Sequence, residues 1–107
     1  MYAICFDLDT AEAGRTHPSN DPTAAYKTIE RVLKQHGFNR TQGSVFFGTN
    51  DTGPVECVLA VQDLVKRHPA MKFIIRDIRM LRVEENNDLI PALGRQADLP
   101  FDDANEG

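Results

Sequence analysis

The chemistry-bearing residues of this chain are a few aspartates and a run of arginines in otherwise apolar segments. Asp7 interrupts the run YAICFDLD at residues 2–9. A carboxylate inside an apolar strand is costly unless it is paired, hydrogen-bonded or bound to a metal. Asp7 is therefore a candidate catalytic base or cation ligand, weighed against a strand-end acid salt-bridged to an arginine. Asp9 shares its face but lies nearer a loop, where simple solvation is expected. The segment RDIR at 76–79 brings together Arg76, Asp77 and Arg79, and Arg82 follows. Three arginines in one strand suit contact with phosphates, while charge guarding a sheet edge is the plainer reading. If the last strand neighbours the first, Asp77 comes near Asp7. Two such carboxylates can share a proton or hold a divalent cation, with arginines clamping a phosphodiester. Ser44 follows Gly43 in a turn and could donate to a phosphate oxygen, although a turn serine more often bonds local backbone. Phe46, Phe47 and Phe73 could stack on bases but are read first as core. There is no Walker-type phosphate loop, nucleophilic triad or zinc spacing.

These residues need elements to hold them. Residues 2–9 alternate as a first strand, with Tyr2, Ile4, Phe6 and Leu8 on one face and Ala3, Cys5, Asp7 and Asp9 on the other. Residues 10–21 read as a loop. Asp21-Pro22 opens a helix to about His36, with Ala25, Ile29, Val32 and Leu33 as its apolar stripe and Lys27, Glu30, Arg31 and Lys34 toward water. Gly37 caps it. Residues 38–48 read as two short strands, or one kinked strand, around Gln42-Gly43. A second helix runs from Val55 to about His68, with Val58, Val61, Leu64 and Val65 inward, and Pro69 ends it. Residues 72–83 form a long strand in which Asp77 and Arg79 share one face and Arg76 and Arg82 the other. Leu89, Ile90, Ala92 and Leu93 allow one more short element. The order β-α-β-β-α-β predicts an α+β, ferredoxin-like sandwich: an antiparallel sheet with two helices on one face and the first and last strands adjacent. The other sheet face then needs a cover, and a second copy of the chain is the simplest.

At 107 residues, 41% hydrophobic and 26% charged, the chain suits one globular domain. No apolar run approaches a membrane span, and the start lacks a signal-peptide pattern, so a cytoplasmic location is expected. Cys5 and Cys57 read as reduced, buried thiols. His36 and His68 sit at helix ends in structural roles. The net charge of −4 is uneven: residues 1–83 carry eleven Lys/Arg and nine Asp/Glu, or +2, and residues 84–107 one Arg and seven acids, or −6. The body is thus slightly basic. Residues 1–93 are expected to form the domain and residues 94–107 a disordered acidic tail.

The segments MYAICFDLD at 1–9, HGF at 36–38, QGSV at 42–45 and RDIR at 76–79 followed by VEE at 83–85 resemble the VapD (virulence-associated protein D) family. The resemblance covers roughly residues 1–93. That family is similar in fold and dimeric arrangement to the CRISPR-associated endoribonuclease 2 family. The resemblance implies a homodimeric endoribonuclease acting on single-stranded RNA, associated with toxin–antitoxin pairs and virulence, with a small antitoxin protein as a candidate partner. It implies catalytic roles for Asp7, Ser44 and Asp77. In the CRISPR-associated relatives the strand-one aspartates of two subunits can hold a divalent metal, so Mg²⁺ at Asp7 is an allowed cofactor. Arg76, Arg79 and Arg82 are expected to contact RNA. Two alternatives stay open: a catalytically silent dimer that scaffolds nucleic acid or protein, and a regulator whose acidic tail meets a basic partner.

Overall fold

Alternation of apolar and polar residues at the start of the chain produces a strand, β1 (Tyr2–Leu8), that ends one residue earlier than the sequence pattern suggests. A computed structural model describes residues 1–16 and 22–94. The expected acidic tail after Gly94 and the proposed N-cap Asp21 lie outside the described residues.

The expected loop after β1 is instead a helix, α1 (Thr10–Thr16). Asp9 Oδ1 accepts the Glu12 backbone N–H at 3.0 Å, and the Asp9 carbonyl accepts from Ala13 N–H. Asp9 is thus the N-cap of a short helix, which accounts for its carboxylate. The next helix, α2 (Pro22–Gln35), follows the predicted bounds closely and buries Ala25, Ile29, Val32 and Leu33. Gly37 leaves it at φ +89°, a left-handed conformation that glycine adopts without penalty.

Two strands, β2 (Asn39–Gln42) and β3 (Val45–Phe47), form a hairpin around Gly43 and Ser44, with Gly43 at φ +45° as two-residue hairpins favour. Helix α3 (Pro54–Arg67) starts at Pro54, and the Glu56 carboxylate accepts the Gly53 N–H at 2.9 Å. Its inward face keeps Leu64 of the predicted stripe, with Val61 packed against the core, but not Val58. Cys57, Ala60 and Leu64 are buried, whereas Val58 stands half exposed. A helical turn, α4 (Met71–Ile74), takes the first residues of the predicted long strand, so β4 spans Ile75–Arg82. A 3-10 turn at Ile90–Leu93 supplies the expected extra element, with no buried residue.

The sheet is antiparallel, in the order β2-β3-β1-β4, so the first and last strands are adjacent as predicted. Ile4, Phe6 and Leu8 of β1 and Phe46 of β3 join Ile29, Leu33, Phe38, Leu64 and Ile74 in one core on the helix side. Each large apolar side chain buried there contributes about 1.5–3 kcal/mol. The opposite sheet face carries no helix. It presents Cys5, Asp7, Asp77, Arg79 and Leu81, with Val45 and Phe47 half-buried. Among the described residues the two-helix expectation is therefore corrected to four α-helical segments, the additional ones being α1 and α4.

The C-terminal ends of α2 and α3 are tied together. Asp63 Oδ2 lies 2.7 Å from His36 Nε2 and 2.7 Å from Arg67 Nη2, and Arg67 also donates to Gln35. Arg67 and His36 together hold the Asp63 carboxyl well below the usual carboxylate range. Both cysteines are free. Cys57 is buried, and burial pushes its thiol up, whereas Cys5 is only half-buried on the helix-free face.

Candidate active site

Antiparallel pairing decides which side chains meet. In the β1–β4 ladder Asp7 stands directly opposite Asp77, and residues in register across a ladder share a face. Both carboxylates are more than half exposed on the helix-free side. Like charges placed directly opposite repel, and each here has its own arginine. Arg79, two residues along from Asp77 and on the same face, donates from Nε to both Asp77 oxygens at 3.0 and 3.1 Å.

Arg76 reaches the site by a different route. The register shifts between Asp7 and Leu8: Asp7 pairs with Asp77 and Leu8 with Ile75. Arg76 is the unpaired extra residue of a β-bulge, a device that re-aims a side chain. Its Nε and Nη2 both donate to Asp7 Oδ2, at 3.3 and 2.9 Å. This hydrogen bond raises the Arg76 guanidinium above its ordinary value. Strict alternation places Arg76 with Arg82 on the other face, so the bulge corrects that expectation. Arg82 pairs with Tyr2, on the side of Ile4 and Phe6, and stays away from the carboxylates.

Ser44 lies near Asp7 along the backbone yet faces the other way. Its carbonyl accepts the Phe6 N–H at 3.2 Å. Its side chain lines a cleft on the helix side with Tyr26, Lys27, Glu30, Arg40 and Gly43. Asp7, Asp77, Arg76 and Arg79 therefore form one cluster, Ser44 flanks the same end of β1 from the opposite face, and Arg82 is remote. Sequence reasoning treated Lys27 as a solvent-facing charge and passed over Arg40. The signal for Arg40 was its register opposite core Phe46, which places it on the helix side.

The aromatics are placed as core-first reading expected for one of them only. Phe46 is buried, Phe47 is half-buried and Phe73 is exposed. The donor set of a single chain does not fit a divalent cation. Among the described residues no three His, Cys, Asp or Glu side chains converge as a metal site. The Asp7 and Asp77 oxygens are engaged by guanidinium groups that compete with any such ion. Among the described residues no helix is long and apolar enough to cross a membrane.

No family model matches the chain. Individual relatives do. The chain is 44% identical over 93 residues to Endoribonuclease VapD 2 of Riemerella anatipestifer, covering 87% of this chain and 99% of that protein. The chain belongs to the VapD family. Identity to the Endoribonuclease VapD homolog of Helicobacter pylori is 43% over 93 residues, covering 87% of this chain and 96% of that one. For Endoribonuclease VapD of Dichelobacter nodosus it is 40% over 88 residues, or 82% and 91%. In this VapD chain the aspartate pair and its two arginines occupy the sheet face that no helix covers.

Proposed function

We propose that this VapD chain is an endoribonuclease that cleaves single-stranded or locally unpaired RNA at the cluster of Asp7, Asp77, Arg76 and Arg79. Its VapD relatives carry the name endoribonuclease. The observation that carries the site assignment is the register: Asp7 opposite Asp77, with Arg76 held 2.9 Å from Asp7 by the bulge. The reading extends to a ferredoxin-like homodimer whose helix-free sheet faces meet, to a cytoplasmic location, and to a role as the toxin of a toxin–antitoxin pair or a virulence-associated factor, with a small antitoxin as partner.

The chemistry follows from the pairing. An incoming phosphodiester offers Arg76 and Arg79 a second anion with bidentate geometry. As Arg76 swings from Asp7 to a phosphate oxygen, the Asp7 carboxylate is released. It then accepts the proton of the attacking 2′-hydroxyl or water as that oxygen bonds to phosphorus and the bond to the leaving ribose oxygen breaks, the leaving oxygen taking a proton from solvent. The arginines neutralise the charge that grows on the phosphoryl oxygens. Asp77 holds Arg79 in place, and Ser44 and Arg82 act outside this cluster, on the flanking RNA.

Asp7→Asn keeps the shape and removes the base. Cleavage of a fluorogenic single-stranded RNA by the purified variant is expected to fall at least about 100-fold. Undiminished cleavage, with contaminating nuclease excluded, removes Asp7 from the mechanism. The second reading, a silent scaffold, draws on the same pairing, since each carboxylate is already neutralised. A gel shift of RNA by the wild-type protein without any cleavage would favour it.

A further inference from the structure

The cleft between α2 and the β2–β3 turn lies on the far side of the sheet from Asp7, and of its lining residues only Ser44 enters the nuclease reading. It measures about 270 Å³ and is lined by Tyr26, Lys27, Glu30, Arg40, Gly43 and Ser44. Its construction is specific. The register shifts between Arg40 and Gln42, while Arg40 pairs with Phe46 and so faces the helices. Glu30 of α2 then meets Arg40 across the cleft at 4.0 Å. The Tyr26 ring is held by Phe6, centroid to centroid 5.9 Å. Among the described residues the Ser44 hydroxyl and the Lys27 ammonium make no hydrogen bond or ion pair. Two cations, a free hydroxyl donor and an open glycine turn converge on one concavity, against a single acid.

We propose that this cleft is an anion subsite that binds a backbone phosphate of the RNA, next to the phosphate cleaved at Asp7. The inference rests on the endoribonuclease reading above and adds where the substrate runs. Pockets for whole drug-sized ligands span about 300–1,000 Å³, so this cleft suits a phosphate and part of its sugar rather than a nucleobase. Its position fits a continuous strand. Ser44 bonds through its carbonyl to Phe6, the residue before Asp7. RNA crossing the end of the sheet at the β2–β3 turn therefore meets the cleft on one side and Asp7 on the other. Lys27 and Arg40 supply the charge, and Ser44 donates to a phosphate oxygen. Glu30 opposes the anion and sets how tightly it is held.

The test is binding of a fluorescein-labelled single-stranded RNA oligonucleotide, followed by anisotropy across a salt series. The protein carries Asp7→Asn so that the RNA stays intact. Lys27→Ala and Arg40→Ala are each expected to weaken binding about 3- to 10-fold and to lower the slope of log affinity against log salt by about 0.7. Glu30→Gln is expected to tighten binding, which no loss of folding would produce. Arg31→Ala and Lys34→Ala, on α2 but outside the cleft, should leave both readouts unchanged. Lys27 is exposed, so its variant carries the test should Arg40→Ala fold poorly. Parent-like affinity and slope for Lys27→Ala together with an unchanged Glu30→Gln overturn the subsite and leave the nuclease reading standing. Absence of RNA binding by the Asp7→Asn parent and by the wild-type protein alike overturns both.

Discussion

Arg76 grips a single Asp7 oxygen through both Nε and Nη2, and a phosphodiester, a monoanion with two equivalent non-bridging oxygens, presents the same kind of target. The residue is thus poised to exchange one anion for another. Arg76→Ala removes the phosphate clamp and also leaves Asp7 facing Asp77 without its own counter-charge. Its kcat/KM on single-stranded RNA is expected to fall about 100-fold or more, as loss of a transition-state donor typically does. Arg76→Lys keeps the charge but not the planar fork, so an intermediate loss is expected. Steady-state kinetics on the two variants checks this, and wild-type rates for Arg76→Ala would exclude the exchange. At this scale the sequence was legible in part. The suspicion attached to Asp7, Asp77 and the arginines follows from charge in apolar strands, and the adjacency of Asp7 and Asp77 followed from strand order. The placement of Arg76 did not, because a bulge arises from pairing between distant segments and leaves no mark in local composition.

Helices α2 and α3 meet at their C-terminal ends through Asp63, with Arg67 and His36 as its partners. The Asp63 pKa is depressed in the folded protein, chiefly by the Arg67 hydrogen bond and then by that of His36. A depressed carboxylate stabilises the fold above its unfolded pKa, about 3.9. That contribution is lost as pH falls through the folded value. The melting temperature of the wild-type protein is therefore expected to drop more steeply below about pH 4 than that of Asp63→Asn, by circular dichroism. Parallel acid profiles would remove Asp63 as a source of the pH dependence. Element positions were readable where periodicity was strong. Both long helices and the adjacent outer strand follow from apolar spacing at 3.6 or 2, and the hairpin from the Gln42-Gly43 turn. Helix α1 escaped because Gly14 and the His17-Pro18 pair suggest a loop, although Asp9 followed by Glu12 three residues later is a helix-start signature. Helix α4 escaped because FII at 73–75 reads equally well as strand.

The whole molecule shows two unlike sides. One sheet face packs the core against the helices, and the other presents Leu81, 44% exposed, beside Phe47, Val45 and the charged cluster. A second copy on that face would bring two clusters together. Light scattering is expected to give twice the chain mass at working concentrations. Leu81→Glu is expected to give a folded monomer with an unchanged far-ultraviolet spectrum. A monomeric wild-type protein would remove the dimer from the reading, and a dimeric Leu81→Glu would move the interface elsewhere. The sequence indicated this asymmetry through two long helices for a four-stranded sheet, and the alternation of β1 put Cys5 and Asp7 on the uncovered side, but it did not single out Leu81 beside them.

Two carboxylates set directly across a ladder repel one another. Their arginines offset this only while no substrate draws them away. An amide at position 7 or 77 would remove the repulsion whether or not substrate is bound. Selection for heat tolerance without selection for activity should therefore erode these positions early, since stabilising changes gather where a working site holds the structure below its optimum.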